Sequence, residues 1–121
     1  MSRHRRKLPA KAAPFTTAAP LFAALGDATR LVIVSRLSSG EAMSIVRLAD
    51  GTGVTRQAVT KHLLVLAAAG LVRSERAGRE RVWELEPEPL REAQRSLETI
   101  SAQWDAALGR LKHFVEDGQA S

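Results

Sequence analysis

Residues 44–69 read as a helix, a tight turn and a second helix, and little else can be built from that spacing. Val54, Val59, Leu63 and Leu66 recur at helical intervals and predict one buried face. Arg56, Gln57, Thr60 and Lys61 fall on the other side, where side chains that hydrogen-bond base edges and phosphates are wanted. Ser44 is a candidate N-cap for the first helix and Thr55 for the second, each placing an oxygen where the first turn has unpaired N–H groups. Arg47 stands where a capping box would have an acid. Ala49 is small enough for two helices to cross closely, and Gly53 supplies a turn residue that tolerates positive φ. The plain alternative is an αα-hairpin within a helical bundle, and the next segment argues against it.

Gly70 ends the second helix in the manner of a C′ glycine. Val72, Ser74 and Arg76 then alternate with Leu71, Arg73 and Glu75. Val82-Trp83-Glu84-Leu85 is a second β-prone run, with Ala77-Gly78 between the two. The prediction is a β-hairpin over residues 71–85 with Arg76, Arg79 and Arg81 at its tip. One charged hairpin is commonplace. A basic hairpin directly after a helix-turn-helix is a wing, placed to meet phosphate or a minor groove.

Upstream, residues 16–25 form a short helix candidate with Leu21, Phe22 and Leu25 on its apolar side and Pro20 near its start or kinking it. Asp27 caps a second helix over residues 28–37, in which Leu31, Val34 and Leu37 are expected to face inward. Ala42-Met43 is a candidate for a very short strand pairing with the wing. Downstream, Pro87-Glu88-Pro89 opens a long helix expected to run over about residues 88–115, since proline is accepted in a first turn. Leu90, Leu97, Trp104 and Leu111 recur every seven residues, with Ala93, Ile100, Ala107 and Phe114 between them. The domain in front is too small to cover that stripe, so the remainder predicts a partner helix, a second copy of this chain. Leu21, Phe22, Leu90, Leu97, Ile100, Trp104, Leu111 and Phe114 are the expected dimerisation residues. Trp104 anchors the seam or lines a cavity beside it.

The charge of +5 is unevenly spread over the 121 residues. Arg3, Arg5, Arg6, Lys7 and Lys11 lie in residues 1–13, which hold no acid and are expected to be a disordered basic tail. That tail either adds nonspecific DNA contacts or only solubilises the chain. Residues 54–82 carry six basic and two acidic residues, and residues 83–117 carry four basic and eight acidic. Such a polarised field orients a protein on a polyanion. With 45% hydrophobic residues, one domain over residues 14–117 can form a core, leaving residues 118–121 as a disordered end. No cysteine is present, which removes disulfides, thiolate metal sites and cysteine nucleophiles. No run spans a membrane and no secretory signal is apparent, so the cytoplasm is the expected compartment.

The chain resembles the ArsR/SmtB winged-helix repressors of bacteria and archaea over residues 18–117. Leu25-Gly26-Asp27-Ala28-Thr29-Arg30-Leu31 is similar to that family's Leu-Gly-Asp-Pro-Thr-Arg-Leu opening, with Ala28 in place of proline. Residues Thr55 to Leu63, then Leu66 and Ala69-Gly70-Leu71-Val72, resemble its recognition helix and exit. The resemblance implies homodimers built through the first and last helices and binding to imperfect palindromes near promoters. It implies no metal here. Where metal-sensing members have a Cys-x-Cys pair this chain has Ser44 and Val46. Of the zinc site between C-terminal helices only His113 and Glu116 match, and Ile100 and Ala102 cannot ligate.

Fold class and function follow. The expected fold is mainly α with a small β-hairpin wing and a long C-terminal dimerisation helix. The expected function is a sequence-specific DNA-binding transcriptional regulator, a homodimeric repressor on a palindromic operator. Thr55, Arg56, Gln57, Thr60, Lys61, His62, Arg76, Arg79 and Arg81 are the expected DNA-binding residues, with His62 to one side of the reading face, on phosphate or against the turn. No cofactor is called for, and the expected inducer is an organic molecule, another protein, or nothing beyond the protein's own concentration. Catalysis has no support: His4, His62 and His113 lie near no nucleophile, and Gly51-Thr52-Gly53 is followed by no lysine in phosphate-loop register. A winged-helix interaction module that does not bind DNA would have lost the basic wing or carry acids on the reading face.

Overall fold

Three of the helices of this chain begin where a short polar side chain caps them. The computed structural model describes residues 13–119. Its elements are α1 (Ala13–Leu25), α2 (Ala28–Leu37), β1 (Met43–Ser44), α3 (Ile45–Ala49), α4 (Arg56–Ala68), β2 (Val72–Ala77), β3 (Glu80–Leu85) and α5 (Pro87–Gln119). Asp27 accepts from the N–H of Arg30, Ser44 from that of Arg47 and Thr55 from that of Ala58, at 3.0, 3.3 and 3.0 Å. Each bond satisfies one of the orphan donors of a first turn. At the other end of α4, Gly70 takes φ 80°, and the N–H groups of Gly70 and Leu71 bond back to Ala67 and Leu66. That reversal satisfies two terminal carbonyls and turns the chain straight into β2. The C-terminus of α3 is closed by Arg36 of α2, whose guanidinium donates to the carbonyls of Arg47, Leu48 and Asp50.

The three strands form one antiparallel sheet in the order β1-β3-β2. Ala77 pairs with Glu80, so the hairpin loop is Gly78-Arg79, one residue later than the Ala77-Gly78 break read from the sequence. Gly78 has φ 64°, the positive value that the first position of a type II′ loop needs. Val72 opposite Leu85, Ser74 opposite Trp83 and Arg76 opposite Arg81 share one face. That face is buried at Val72 and Trp83 and exposed at the two arginines. The expected short strand is present one residue later, with Met43 opposite Trp83.

Ile33, Leu37, Leu48, Val59, Leu63, Leu66 and Leu71 are the fully buried centre, and Val54 packs half-buried against it. The phase expected for α2 is corrected here: Leu31 is 52% exposed and Ile33 is 0% exposed. Positions 33 and 37 lie on one side of a helix and 31 nearly opposite, so Ile33 and Leu37 take the core. Leu21 is likewise corrected. Only 5% exposed, it belongs to the chain's own core and offers no free surface, while Phe22 is half-buried beside it.

Helix α1 starts earlier than expected and continues through the exposed Pro20. Helix α5 has 33 residues, about 50 Å at 1.5 Å per residue. It includes Gly118 and Gln119, part of the end expected to be disordered. The basic tail lies outside the described residues except for Ala13, which is in α1. Among the described residues no single helix is long and apolar enough to cross a membrane.

Candidate nucleic-acid interface

Helix α4 buries Val59, Leu63 and Leu66, and this fixes which side chains remain outside. Arg56, Gln57 and Lys61 are exposed and Thr60 is half-buried. Gln57 and Lys61 are neighbours one turn apart, as are Arg56 and Thr60. The Thr60 hydroxyl donates to the carbonyl of Arg56 at 2.9 Å, leaving its oxygen and methyl group to face outward. Thr55 is exposed at the start of the helix, its oxygen already engaged as the cap. The first turns of α4 thus present a bidentate amide, two cations and a threonine, the residue types that read base edges.

The wing places Arg76 across from Arg81, with Arg79 in the loop between them. Arg81 donates to the Ser74 hydroxyl at 2.8 Å. Arg73, at the base of the wing, is bound to Glu84 at 2.6 Å and to Glu86 at 3.0 Å. The difference is general. Among the described residues Arg47, Arg73, Arg91, Arg95 and Lys112 all have carboxylate partners, while Arg56, Lys61, Arg76, Arg79 and Arg81 have none. Off this surface Arg30, Arg36 and Arg110 are also without a carboxylate, the first two being engaged by backbone carbonyls. Unpaired cations on one recognition helix and one wing keep their full field for an outside anion.

His62 is set apart from this group. Its side chain is 23% exposed, and its Nδ1 lies 3.2 Å from Arg30 Nη1 and 3.9 Å from Asp27 Oδ2. The Asp27 carboxyl is held below its ordinary range, chiefly by the Arg30 N–H it accepts and also by the nearby Arg30 guanidinium. Of the ring nitrogens only Nε2 is left to reach outward. Sequence reasoning assigned no role to Arg30, Arg36 or Arg73. Arg30 lies inside the Leu25–Leu31 motif, which was the one available signal.

On α5, Ala93 and Ser96 are buried and Leu90 is half-buried against the core. Beyond them Leu97, Ile100, Trp104, Leu108, Leu111, Phe114 and Val115 are exposed, Trp104 at 63% and Phe114 at 78%. His113 and Glu116 are exposed one turn apart, and Glu116 lies 3.9 Å from Lys112.

Residues 25–75 match the family model described as a helix-turn-helix domain. The chain is 42% identical over 77 residues to YuzN of Bacillus subtilis, an uncharacterised helix-turn-helix-type transcriptional regulator, covering 59% of this chain and 84% of that protein. A helix-turn-helix-type transcriptional regulator of Mycobacterium tuberculosis is 40% identical over 93 residues, covering 77% of this chain and 83% of the relative. Among solved structures, an ArsR-like transcriptional regulator from Rhodococcus superposes with TM-score 0.69 at 38% identity, covering 84% of this chain and 95% of that one. The chain belongs to the ArsR-like helix-turn-helix transcriptional regulators. A Mycobacterium bovis domain described as a homodimeric winged helix-turn-helix shares the fold, with TM-score 0.60 at 23% identity, covering 85% of this chain and 91% of that one. As an ArsR-like regulator the chain is a DNA-binding winged-helix protein, and among its described residues no three His, Asp or Glu side chains cluster as metal ligands.

Proposed function

We propose that this ArsR-like regulator is a homodimeric repressor that reads a palindromic operator in the cytoplasm. The observation that carries the reading is the set of unpaired cations: Arg56 and Lys61 on α4, and Arg76, Arg79 and Arg81 on the wing, while cations at the wing base and the start of α5 are neutralised. Arg56, Gln57, Thr60 and Lys61 meet base edges in the major groove, Gln57 suiting adenine and Arg56 or Lys61 guanine. Thr55 and His62, the latter through Nε2, sit beside the phosphates. The wing arginines add sequence-independent affinity along the backbone.

The second half of the proposal is the pairing of two chains through the exposed stripe of α5, supported by Leu97, Ile100, Trp104, Leu111 and Phe114 being left uncovered. A two-fold dimer would hold two recognition helices about 34 Å apart, one turn of DNA. An inducer acting on the paired helices would change that spacing without touching a DNA contact. Selection from a randomised duplex library with the full chain tests the proposal. Two inverted half-sites about one turn apart are expected. No enriched sequence would point instead to an interaction module, and a single half-site would remove the dimer from the reading.

A further inference from the structure

Arg30 touches three segments of the chain at once. Its backbone N–H is capped by Asp27 at 3.0 Å, its Nε donates to the carbonyl of Ala24 in the last turn of α1, and its Nη1 lies 3.2 Å from Nδ1 of His62 on α4. The rest of the α1–α4 contact is made of small or non-directional groups. Pro20, Ala23 and Ala24 face Val65, Ala68 and Ala69 across a shallow groove. Small apolar residues fix the distance between two helices but supply no directional bond to fix their rotation. The Arg30 side chain hydrogen-bonds both helices.

The chemistry of the contact also decides the state of the imidazole. A guanidinium has five donors and no acceptor. The Arg30–His62 contact is therefore a hydrogen bond only when Nδ1 offers its lone pair, which puts the ring proton on Nε2. Asp27 would favour the opposite tautomer, but its Oδ2, which accepts the Arg30 N–H of the α2 cap, stands 3.9 Å from Nδ1, beyond hydrogen-bond distance. The nearer donor wins. The outward nitrogen of His62 is then a donor, the polarity a phosphate oxygen requires.

We propose that Arg30 is a positioning residue for DNA binding, holding the recognition helix to the end of α1 through His62 and fixing the His62 proton on Nε2. This rests on the reading of α4 as the helix that enters the groove. It joins the layer of α1 and α5 to the reading helix by a polar bond, so a displacement of α1 is passed to α4.

The test uses the full chain and a duplex enriched by the wild type from a randomised library. Arg30→Ala, His62→Ala and the double variant are compared for affinity. Each single change is expected to weaken binding roughly tenfold, the scale of one lost charge-assisted bond. Because Arg30 acts through His62, the double variant should bind about as well as the weaker single variant. Losses that multiply overturn the proposal. Nitrogen-15 spectra of His62 at pH 8 give an independent readout. The wild type should carry its proton on Nε2, and Arg30→Ala should show a mixture of tautomers. A wild-type ring protonated at Nδ1, or an Arg30→Ala ring unchanged from wild type, overturns it as well. If Arg30→Ala does not fold, Arg30→Gln keeps a donor without the charge, and the wild-type spectrum decides the tautomer alone. Failure of the groove reading shows separately, as an unaltered base preference in Gln57→Ala beside an intact tautomer result.

Discussion

Helices α4 and α5 are both amphipathic, and they dispose of their apolar sides in opposite ways. In α4 the residues Val59, Leu63 and Leu66 are wholly inside, and its first turns keep Arg56, Gln57 and Lys61 in solvent, with Leu64 and Val65 exposed only further along. In α5 only the first turns are covered, and from Leu97 onward the apolar side is bare. A bare cationic face suits a polyanion, and a bare apolar face of this length suits another helix. The contrast separates the two binding tasks by element. Helix α4 is anchored by the core of its own chain, and the apolar side of the second half of α5 is left uncovered.

That contrast can be broken most decisively at α5. Leu97→Glu together with Leu111→Glu should convert a dimer into a monomer that no longer binds a palindrome, measured by sedimentation and by gel shift. An intact dimer would mean that the bare stripe is not the seam. Next in size, Leu63→Ala in α4 should cost about 2–5 kcal/mol of unfolding free energy, as a cavity in a full core does. Trp104→Ala should leave the stability of the isolated chain nearly unchanged and raise the dimer dissociation constant. If denaturation shows the two losing equal stability at concentrations where the chain is monomeric, the helices are not opposites.

Smaller effects sharpen the picture of α4. Gln57→Ala should lose about 1–3 kcal/mol of discrimination at one base pair in each half-site, read by competition among single-base variants of the duplex. Thr55→Ala should lower thermal stability by about 1 kcal/mol through the missing cap, with base preference retained. The smallest change is expected from Arg79→Ala, which should reduce the slope of log K against log salt by about 0.9 if the wing arginine meets one phosphate. A slope equal to the parent's would take Arg79 off the DNA.

Much of this was legible in the sequence, for physical reasons that differ by element. Ser44, Thr55 and Asp27 announce helix starts because capping is a local bond, and the stripe on α5 persists over enough turns to leave no doubt about its phase. Helix α2 failed that test. Leu31, Val32, Ile33 and Val34 are consecutive apolar residues, so ten residues give no distinct face, and contact with α4 and the sheet selects Ile33. Leu21 was placed at an interface because its apolar character says that it is buried and not by which chain. Residues 118–121 were expected to be a disordered end, yet α5 runs through Gly118 to Gln119. At the candidate site, the exposed residues of α4 were legible from periodicity alone. The engagement of His62 was not, because it depends on Arg30, thirty-two positions earlier in the chain.

The two tryptophans end up in opposite surroundings, and this makes the chain its own optical probe. Trp83 is 5% exposed in the sheet, with an indole N–H that has no partner among the described residues, whereas Trp104 is 63% exposed on α5. With no tyrosine in the chain, near-ultraviolet emission belongs to these two rings. Trp83 should emit toward the blue whatever the assembly state. Trp104 should emit toward the red in a single chain and shift to the blue when a partner covers it, so dilution through the dissociation range becomes visible as a change of colour from one known residue.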